Sequence, residues 1–203
     1  ENPRTGDARI SGTTASLAGL ERALQSGSDA DIETAINRIL LLYGVVLSIG
    51  GIPLLYMGDE LGTLNDYSYG TERAKYEDSR WVHRPATDWR KASKRADMET
   101  IEGRVYGRMM HLVQTRKACE AFAGGDAEMI ETGNRHVLGY ARRYTGDKAL
   151  VLANFSPNKQ SVSGEVLARN GFTEVLRDLV TGNALPVAGL ELEPYRFVWL
   201  SAR

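Results

Sequence analysis

The sequence predicts an α/β segment followed by an all-β domain, and three observations lead to that prediction. Residues 39–57 carry no charged side chain and are interrupted by Gly50-Gly51-Ile52-Pro53. Residues 62–98 are polar, rich in tyrosine and charged side chains, and show little periodicity. From about residue 127, short runs of β-branched and aromatic residues alternate with turn residues, which is typical of an antiparallel β-sandwich.

Composition restricts the function classes. The chain has 203 residues, of which 25% are charged, and its formal net charge is −1. This balance gives no indication of nucleic acid or an anionic membrane as partner. The single Cys119 excludes an internal disulfide framework, and no secretory signal is visible, so the expected localisation is cytoplasmic or unknown. The start at Glu1 indicates processing or a piece of a longer polypeptide.

The uncharged run is long enough to suggest a membrane span, but its composition favours a protein core. The Gly-Gly pair stops a helix, and Pro53 cannot lie in a helix interior. We therefore expect a helix over about Asp29–Ile49, with Ser28 and Asp31 at a capping-box spacing. A short buried strand of a parallel sheet is expected over Ile52–Met57. One such strand cannot stand alone, and a (β/α)8 TIM barrel needs about 250 residues, so most of it is expected upstream.

The remaining elements follow in order. Residues 62–98 are predicted to form a long loop, and a loop of that length in a compact domain is usually functional. Apolar residues at helical spacing predict an amphipathic helix over Glu102–Ala121, with Gly124-Gly125 as its end. The β-rich runs HVLGYARRY, KALVLANFS, KQSVSGEVL, FTEVLRDLV and YRFVWLSA predict the strands of the sandwich, with Trp199 in its core.

Four phrases of the sequence resemble a known family. GIPLLYMGDELG (51–62) is similar to the eighth-strand motif of the α-amylase-like glycoside hydrolases, family thirteen. NPRTGDARISGTTASLAGLE (2–21), GDELGTLNDYSY (58–69) and DSRWVHRP (78–85) resemble amylosucrase and sucrose hydrolase more specifically. The resemblance implies three regions: the end of an inserted domain (1–24), the last part of the TIM barrel with its seventh helix, eighth strand and eighth helix (25–126), and the C-terminal β-sandwich (127–203).

The resemblance also implies an activity. It implies part of a retaining glucosyltransferase that cleaves sucrose, releases fructose and transfers glucose to an α-1,4-glucan, with no cofactor. The family's catalytic carboxylates lie at the ends of earlier strands, so none is expected in this chain and the upstream part of the enzyme is an expected partner. The paired acids Asp59 and Glu60 are then expected to anchor a loop. His111 and His136 lack the spacing of metal ligands, so no metal site is expected.

Four residues are expected to bind substrate by the same resemblance. Arg80 matches an arginine that pairs with an acid of an early barrel loop and closes the floor of the glucosyl pocket. A guanidinium suits that role because it offers a rigid fork of donors. Arg9 is expected on the acceptor side, with Asn2 near the same groove. His83 is expected to brace the loop or contact sugar.

Other interpretations remain open at this point. The nearest is a sucrose hydrolase, which passes the glucosyl unit to water. A different class is a non-catalytic carbohydrate-binding or structural module, and a third is another family member such as a trehalose-forming mutase. Trp81 and Trp89 can stack on sugar faces or pack beneath the long loop.

Overall fold

Helices make up most of the first part of the chain and strands most of the last part. The computed structural model describes residues 6 and 10–201. The chain divides into two compact units, residues 1–39 with 55–107 and residues 40–54 with 108–203. The domain boundaries expected from the sequence stay predictions. The α-helices are α1 (Thr14–Leu17), α2 (Leu20–Ser26), α3 (Asp29–Val46), α4 (Trp89–Ala92), α5 (Ile101–Ala118) and α6 (Gly164–Arg169).

The predicted helix in the uncharged run is confirmed as α3. Its start has half of a capping box, because Ser28 Oγ accepts the Asp31 amide at 3.3 Å while the Asp31 carboxylate accepts the Ser26 hydroxyl at 3.1 Å. The helix ends at Val46, three residues earlier than predicted. The chain then turns through left-handed glycine conformations at Gly50 and Gly51.

The prediction of a strand over Ile52–Met57 is wrong for the described chain. These residues have no regular secondary structure, and Ile52 and Leu54 are 99% and 76% exposed. A parallel strand needs neighbours for its backbone hydrogen bonds, and every strand pair among residues 10–201 is antiparallel. The described residues therefore show no barrel. Nor does any helix among them have the length and apolar character needed to cross a membrane.

The long loop and the second long helix are confirmed. Residues 62–98 are mostly irregular, with 3-10 helices at Ser68–Thr71 and Ser79–His83 and one turn of α-helix in α4. The helix predicted over Glu102–Ala121 is α5, which begins one residue earlier and ends at Ala118. A separate 3-10 helix over Glu120–Phe122 replaces its predicted last turn.

The β-rich part is confirmed as an antiparallel sandwich. A six-stranded sheet has the order β1-β2-β3-β8-β5-β6, and a second sheet pairs β4 with β7. The strands are β1 (Ala127–Met129), β2 (Val137–Tyr144), β3 (Asp147–Asn154), β4 (Gln160–Ser163), β5 (Leu176–Asp178), β6 (Ala184–Leu185), β7 (Gly189–Leu192) and β8 (Phe197–Ser201).

Only the first half of one β-rich run forms a strand. KQSVSGEVL forms β4 and then α6, because its second half does not alternate between inside and outside. Val166 and Leu167 are adjacent and both buried, which differs from the strict alternation of a strand with one solvent face.

The two faces of the large sheet bury different sets of residues. One face forms the sandwich core with β4, β7 and α6 and includes Ala141, Leu150 and Leu200, which are paired across β2, β3 and β8. The other face carries Tyr140, Val151 and Trp199 in one row across the same strands. Trp199 is fully buried, as predicted, but it lies on the face opposite to the sandwich core.

That second face packs on the end of α3. The indole Nε1 of Trp199 donates to the Gly44 carbonyl at 3.2 Å, and the Tyr140 hydroxyl lies 2.7 Å from Ser48 Oγ. The helix has glycine at position 44 where the sheet comes closest, since a Cβ there would lie 2.7 Å from the ring of Phe197. The sandwich and the helix end thus share a closely packed interface.

Candidate functional site

The long loop brings two of the predicted substrate-binding residues into one short element. Arg80 and His83 both lie in the 3-10 helix Ser79–His83. Asp78 caps this helix, since its carboxylate accepts the Arg80 amide at 3.0 Å. The loop's path is fixed on the other side by the Asp66 amide, which donates to the Val82 carbonyl at 2.8 Å. The sequence places Arg80 and His83 three residues apart, and the helix holds both on a defined backbone.

Arg80 forms a fork with a carboxylate of its own loop. Its Nε donates to Asp78 Oδ1 at 2.8 Å and its Nη2 donates to Asp78 Oδ2 at 2.8 Å. The hydrogen bond lowers the pKa of Asp78 to about 2 and raises the pKa of Arg80. The Arg80 side chain is 60% exposed, so the remaining guanidinium donors face outward. This arrangement can hold a second acceptor, such as a carboxylate or a sugar hydroxyl.

His83 has an unused ring nitrogen. Its Nδ1 is buried and has no hydrogen-bond partner within residues 10–201. The ring of Tyr56 lies edge-on to the imidazole, with 6.3 Å between the ring centres. Buried polar atoms normally have a partner, so this nitrogen indicates a contact that another group must supply.

The two tryptophans of the loop differ in what covers them. The ammonium of Lys75 lies 5.1 Å from the Trp81 ring centre and the Arg84 guanidinium lies at 5.8 Å. These cations occupy space over the ring that a sugar face would need. Trp89, at the start of α4, is 78% exposed. Of the two, Trp89 is the one open to stacking on a sugar.

The paired acids Asp59 and Glu60 both form hydrogen bonds within the protein. Asp59 is 5% exposed, and its Oδ2 accepts the Thr14 hydroxyl at 2.7 Å. Glu60 accepts the Gly58 amide at 2.9 Å through Oε2. Gly58 and Gly62 have positive φ on either side of the short helix Asp59–Leu61, which tightens this turn. Both carboxylates hold the loop, which supports the anchoring interpretation.

Two of the predicted substrate-binding residues cannot be placed. Asn2 and Arg9 lie outside the described residues. Of the three histidines, His111 is hydrogen-bonded through Nε2 to the Val180 carbonyl at 2.7 Å, and the His136 backbone amide donates to Asn134 at 3.0 Å. Within residues 6 and 10–201, no cluster of three or more potential metal-ligating side chains occurs.

Sequence reasoning missed two residues that shape this region. Asp78 carries no separate prediction, although an acid at a helix start is a recognisable capping pattern. Asn65 carries none either, and it binds Thr13 through its side chain and Ser16 through its backbone. No local signal distinguishes Asn65 from an ordinary loop asparagine, because its partners lie far away in the sequence.

Comparison with known proteins assigns the sandwich to a domain type. Residues 127–199 match the family model of the maltogenic amylase C-terminal domain. The sandwich is therefore similar to that C-terminal domain. The fold agrees over a larger part of the chain. The structure of an AmyP variant in complex with maltotriose has a TM-score of 0.63 at 14% identity and covers 84% of this chain.

Two further relatives extend the comparison. A glucosylglycerate phosphorylase of Escherichia coli K12 is 25% identical over 177 residues, which is 86% of this chain. The trehalulose synthase MutB of Pseudomonas mesoacidophila has a TM-score of 0.55 at 18% identity over 82% of this chain. The chain spans 30% of the phosphorylase and 35% and 38% of the two solved chains. The chain therefore corresponds to less than half the length of each of these proteins.

Proposed function

We propose that this chain is the C-terminal part of an amylosucrase-type enzyme. The enzyme cleaves sucrose with retention, releases fructose and transfers the glucosyl unit to an α-1,4-glucan. Its catalytic carboxylates belong to another part of the protein, and the described chain contributes one wall of the substrate site. The observation that carries this proposal is the loop helix Ser79–His83, which presents the Arg80 fork beside the unpartnered His83 nitrogen.

The chemistry of that helix suits the floor of a glucosyl pocket. Asp78 holds the Arg80 guanidinium on one edge, which leaves the other donors directed at an incoming carboxylate or sugar hydroxyl. A pre-ordered cation of this kind loses little conformational freedom when it binds. His83 Nδ1 adds one more hydrogen-bonding atom. Arg9 and Asn2 are proposed to bind the glucosyl acceptor.

The barrel assignment is part of the same proposal. In it, α3 is the seventh helix and α5 the eighth helix of a TIM barrel, and residues 52–57 form the eighth strand only beside neighbouring strands from another part of the protein. The exposed apolar side chains Ile52, Leu54 and Met57 support this, because a barrel strand is covered on both faces by neighbours. The fold likeness to chains of which this chain covers 35% and 38% supports it as well.

The glucosyl acceptor distinguishes this proposal from its nearest rivals. Neighbouring structures in complex with maltotriose and maltose favour a glucan as ligand. A sucrose hydrolase would use water instead. The similarity to a glucosylglycerate phosphorylase favours a second candidate, in which inorganic phosphate takes the glucosyl unit. All three share the same first step, in which an enzyme carboxylate attacks the glucosyl carbon and displaces the group bound to it.

A free-standing carbohydrate-binding module fits the structure less well. Such modules expose aromatic rings for sugar to stack on. In the sandwich, Tyr140, Trp199 and Phe172 are fully buried, and Tyr144 and Phe155 are 44% and 46% exposed. The sheet face that carries Tyr140 and Trp199 is closed by the end of α3. That face is used for packing within the protein.

The decisive experiment measures products from sucrose with the full-length protein. Fructose and free glucose are quantified with no addition, with maltoheptaose and with inorganic phosphate. The proposal expects fructose in excess of glucose when maltoheptaose is present, together with elongated glucan. Equal glucose and fructose under all conditions would indicate the hydrolase, and glucose 1-phosphate would indicate the phosphorylase. The 203-residue chain alone should release no fructose.

A further inference from the structure

The carboxylate of Asp78 accepts four hydrogen bonds from one neighbouring residue. Arg80 Nε donates to Oδ1 at 2.8 Å and to Oδ2 at 3.1 Å, and Arg80 Nη2 donates to Oδ2 at 2.8 Å. The Arg80 backbone amide adds a contact to Oδ1 at 3.0 Å. A guanidinium fork of this kind is the group with which proteins bind carboxylate and phosphate ligands. Here a side chain of the same loop is the bound anion.

A second guanidinium acts on the same carboxylate. The side-chain hydrogen bond from Arg80 lowers the pKa of Asp78 most, and the positive charge of Arg84 lowers this pKa further. Lys75, a third cation of this part of the loop, has a carboxylate of its own, since its ammonium lies 2.7 Å from Glu72 Oε2. Asp78 therefore faces the charges of two arginines, and without it these charges would favour an anion from the solvent.

The anion site around Arg80 is open to solutes. The side chains of Asp78 and Arg80 are 34% and 60% exposed, so solutes have access to the fork. The Asp78 carboxylate is attached to the chain two residues from the arginine, which gives it a high effective concentration at the fork. A dissolved anion competes poorly with a tethered one. The Asp78 side chain thus keeps the site occupied.

A second capping aspartate in the loop shows that capping alone needs no arginine fork. Asp88 accepts the backbone amides of Arg90 and Lys91 at 2.9 and 3.2 Å. Within residues 6 and 10–201, no guanidinium donates to its side chain. The fork at Asp78 is therefore a feature beyond the helix cap, and Asp88 offers a matched control for the loss of a capping carboxylate.

We infer that Asp78 is a built-in anion that fills an anion-binding site at Arg80 and excludes free anions, so that this site takes uncharged sugars. The second half of the inference rests on the proposed function, which places Arg80 in the glucosyl pocket. There Asp78 leaves the outward donors of Arg80 to neutral hydroxyl groups and gives phosphate or a phosphorylated sugar a repulsive neighbour. A further carboxylate at the outward edge of Arg80 would strengthen this exclusion, because it adds negative charge.

Thermal melts of the full-length enzyme at constant ionic strength measure anion binding. Asp78→Ala empties the site, so formate and inorganic phosphate should raise its Tm in a saturable manner, as ligands of the native state do. Phosphate should bind Asp78→Ala at least about fivefold more tightly than the wild type, the factor that two unit charges about 4 Å apart produce in water. Asp78→Asn should bind neither anion more tightly, because its amide still fills the space and its oxygen still accepts hydrogen bonds.

Two further variants show where the anion binds. The double variant Asp78→Ala with Arg80→Met should lose the gain in phosphate binding, because the fork is gone. Asp88→Ala should gain nothing, although it also lacks a capping carboxylate. A gain of equal size in Asp88→Ala or in the double variant would place the anion elsewhere and overturn the inference. A Tm of Asp78→Ala that neither anion raises would overturn it as well.

Fructose release from sucrose tests the role of Asp78 in selecting ligands. Asp78→Ala should lower kcat/KM for sucrose by about tenfold, the effect of losing charge-assisted hydrogen bonds that orient Arg80. Formate should restore much of this loss by taking the place of the carboxylate, which separates a positioning role from general destabilisation. Phosphate should inhibit Asp78→Ala and leave the wild type and Asp88→Ala unaffected.

The two measurements separate the anion site from its role in the proposed function. Anion binding to Asp78→Ala without rescue by formate or inhibition by phosphate would overturn the selection of uncharged sugars. A wild-type enzyme that releases no fructose from sucrose would reject the proposed function, and this selection with it. The melts need no activity, so they would still decide whether Asp78 fills an anion site.

Discussion

The guanidinium of Arg142 binds the carbonyl of Ser48, which lies just beyond the end of α3, at 2.7 Å. Its other terminal nitrogen donates to the carbonyls of Gly124 and Gly125 at 2.6 and 2.9 Å. Arg142 is 1% exposed, and in the described part of the chain no carboxylate pairs with it. Carbonyl dipoles at a helix end compensate its charge in place of an anion. Arg116 reinforces the arrangement by donating to the Leu47 and Gly51 carbonyls.

Replacing Arg142 should therefore destabilise the protein. Arg142→Met fills much of the same space but leaves three carbonyls without donors, at a cost of about 3 kcal/mol or more. Urea unfolding followed by circular dichroism measures this change. The matched control is Arg177→Met on β5, because Arg177 is exposed and makes one hydrogen bond, to the Gly182 carbonyl at 3.1 Å. Equal effects of the two substitutions would contradict a special role for Arg142.

Arg80 should be essential for sucrose cleavage in the full-length enzyme. If it closes the pocket floor with an upstream carboxylate, Arg80→Ala strands that carboxylate and lowers kcat/KM for sucrose by roughly a hundredfold or more. Arg80→Lys should rescue little, because a point charge cannot make the bidentate fork. Steady-state fructose release and a thermal melt are the measurements. A folded Arg80→Lys enzyme near wild-type activity would reject the pocket-floor role.

The Asp78–Arg80 pair should be visible in the titration of Asp78. Its folded-state pKa of about 2 lies below the ordinary value, so its small contribution to stability is present above pH about 4 and is lost as pH falls through about 2. Carbon-13 NMR of the carboxyl group should show this low pKa. In Arg80→Met, the pKa should move back towards the ordinary value. The backbone amide of residue 80 still donates to Asp78 in this variant, so part of the lowering should remain. A pKa that does not rise at all would contradict the contribution of the guanidinium.

The exposed apolar segment should make the 203-residue chain associate. Ile52, Leu54 and Met57 are 99%, 76% and 68% exposed and lie within six residues. Large apolar side chains this exposed usually have a partner. Light scattering after size exclusion should show oligomers or aggregates, and Ile52→Ser with Leu54→Ser should reduce them. Val175→Ser is the control, because Val175 is 69% exposed on the sandwich. A monodisperse wild-type monomer would refute the expectation.

The sequence pattern predicted those helices and strands that are determined mainly by residues close together in the sequence. Helix α3 follows from its cap and glycine stop, and strands β2 and β3 follow from β-rich runs between turn residues. The strand over 52–57 failed because a strand is defined by neighbours, which the described residues do not supply. Helix α6 was missed because six residues carry too little periodicity to separate it from a strand.

Long-range partners explain why the site was only partly predictable. Arg80 and His83 could be chosen from a phrase in the sequence, but Asn65 and Thr13 acquire meaning only when the fold brings them together. Arg142 is similar. In HVLGYARRY it has the pattern of an exposed charge beside Arg143, and only the register places it on the face against α3.

The close approach at Gly44 ties two distant parts of the gene together. Any side chain at position 44 would collide with the ring of Phe197 on the last strand. A recombination event that joined this helix to the sandwich of a related enzyme would have to bring in a compatible residue at position 197. Otherwise helix α3 and the sheet could not pack together. Helix α3 and strand β8 are thus expected to be inherited as one block, although most of the chain lies between them.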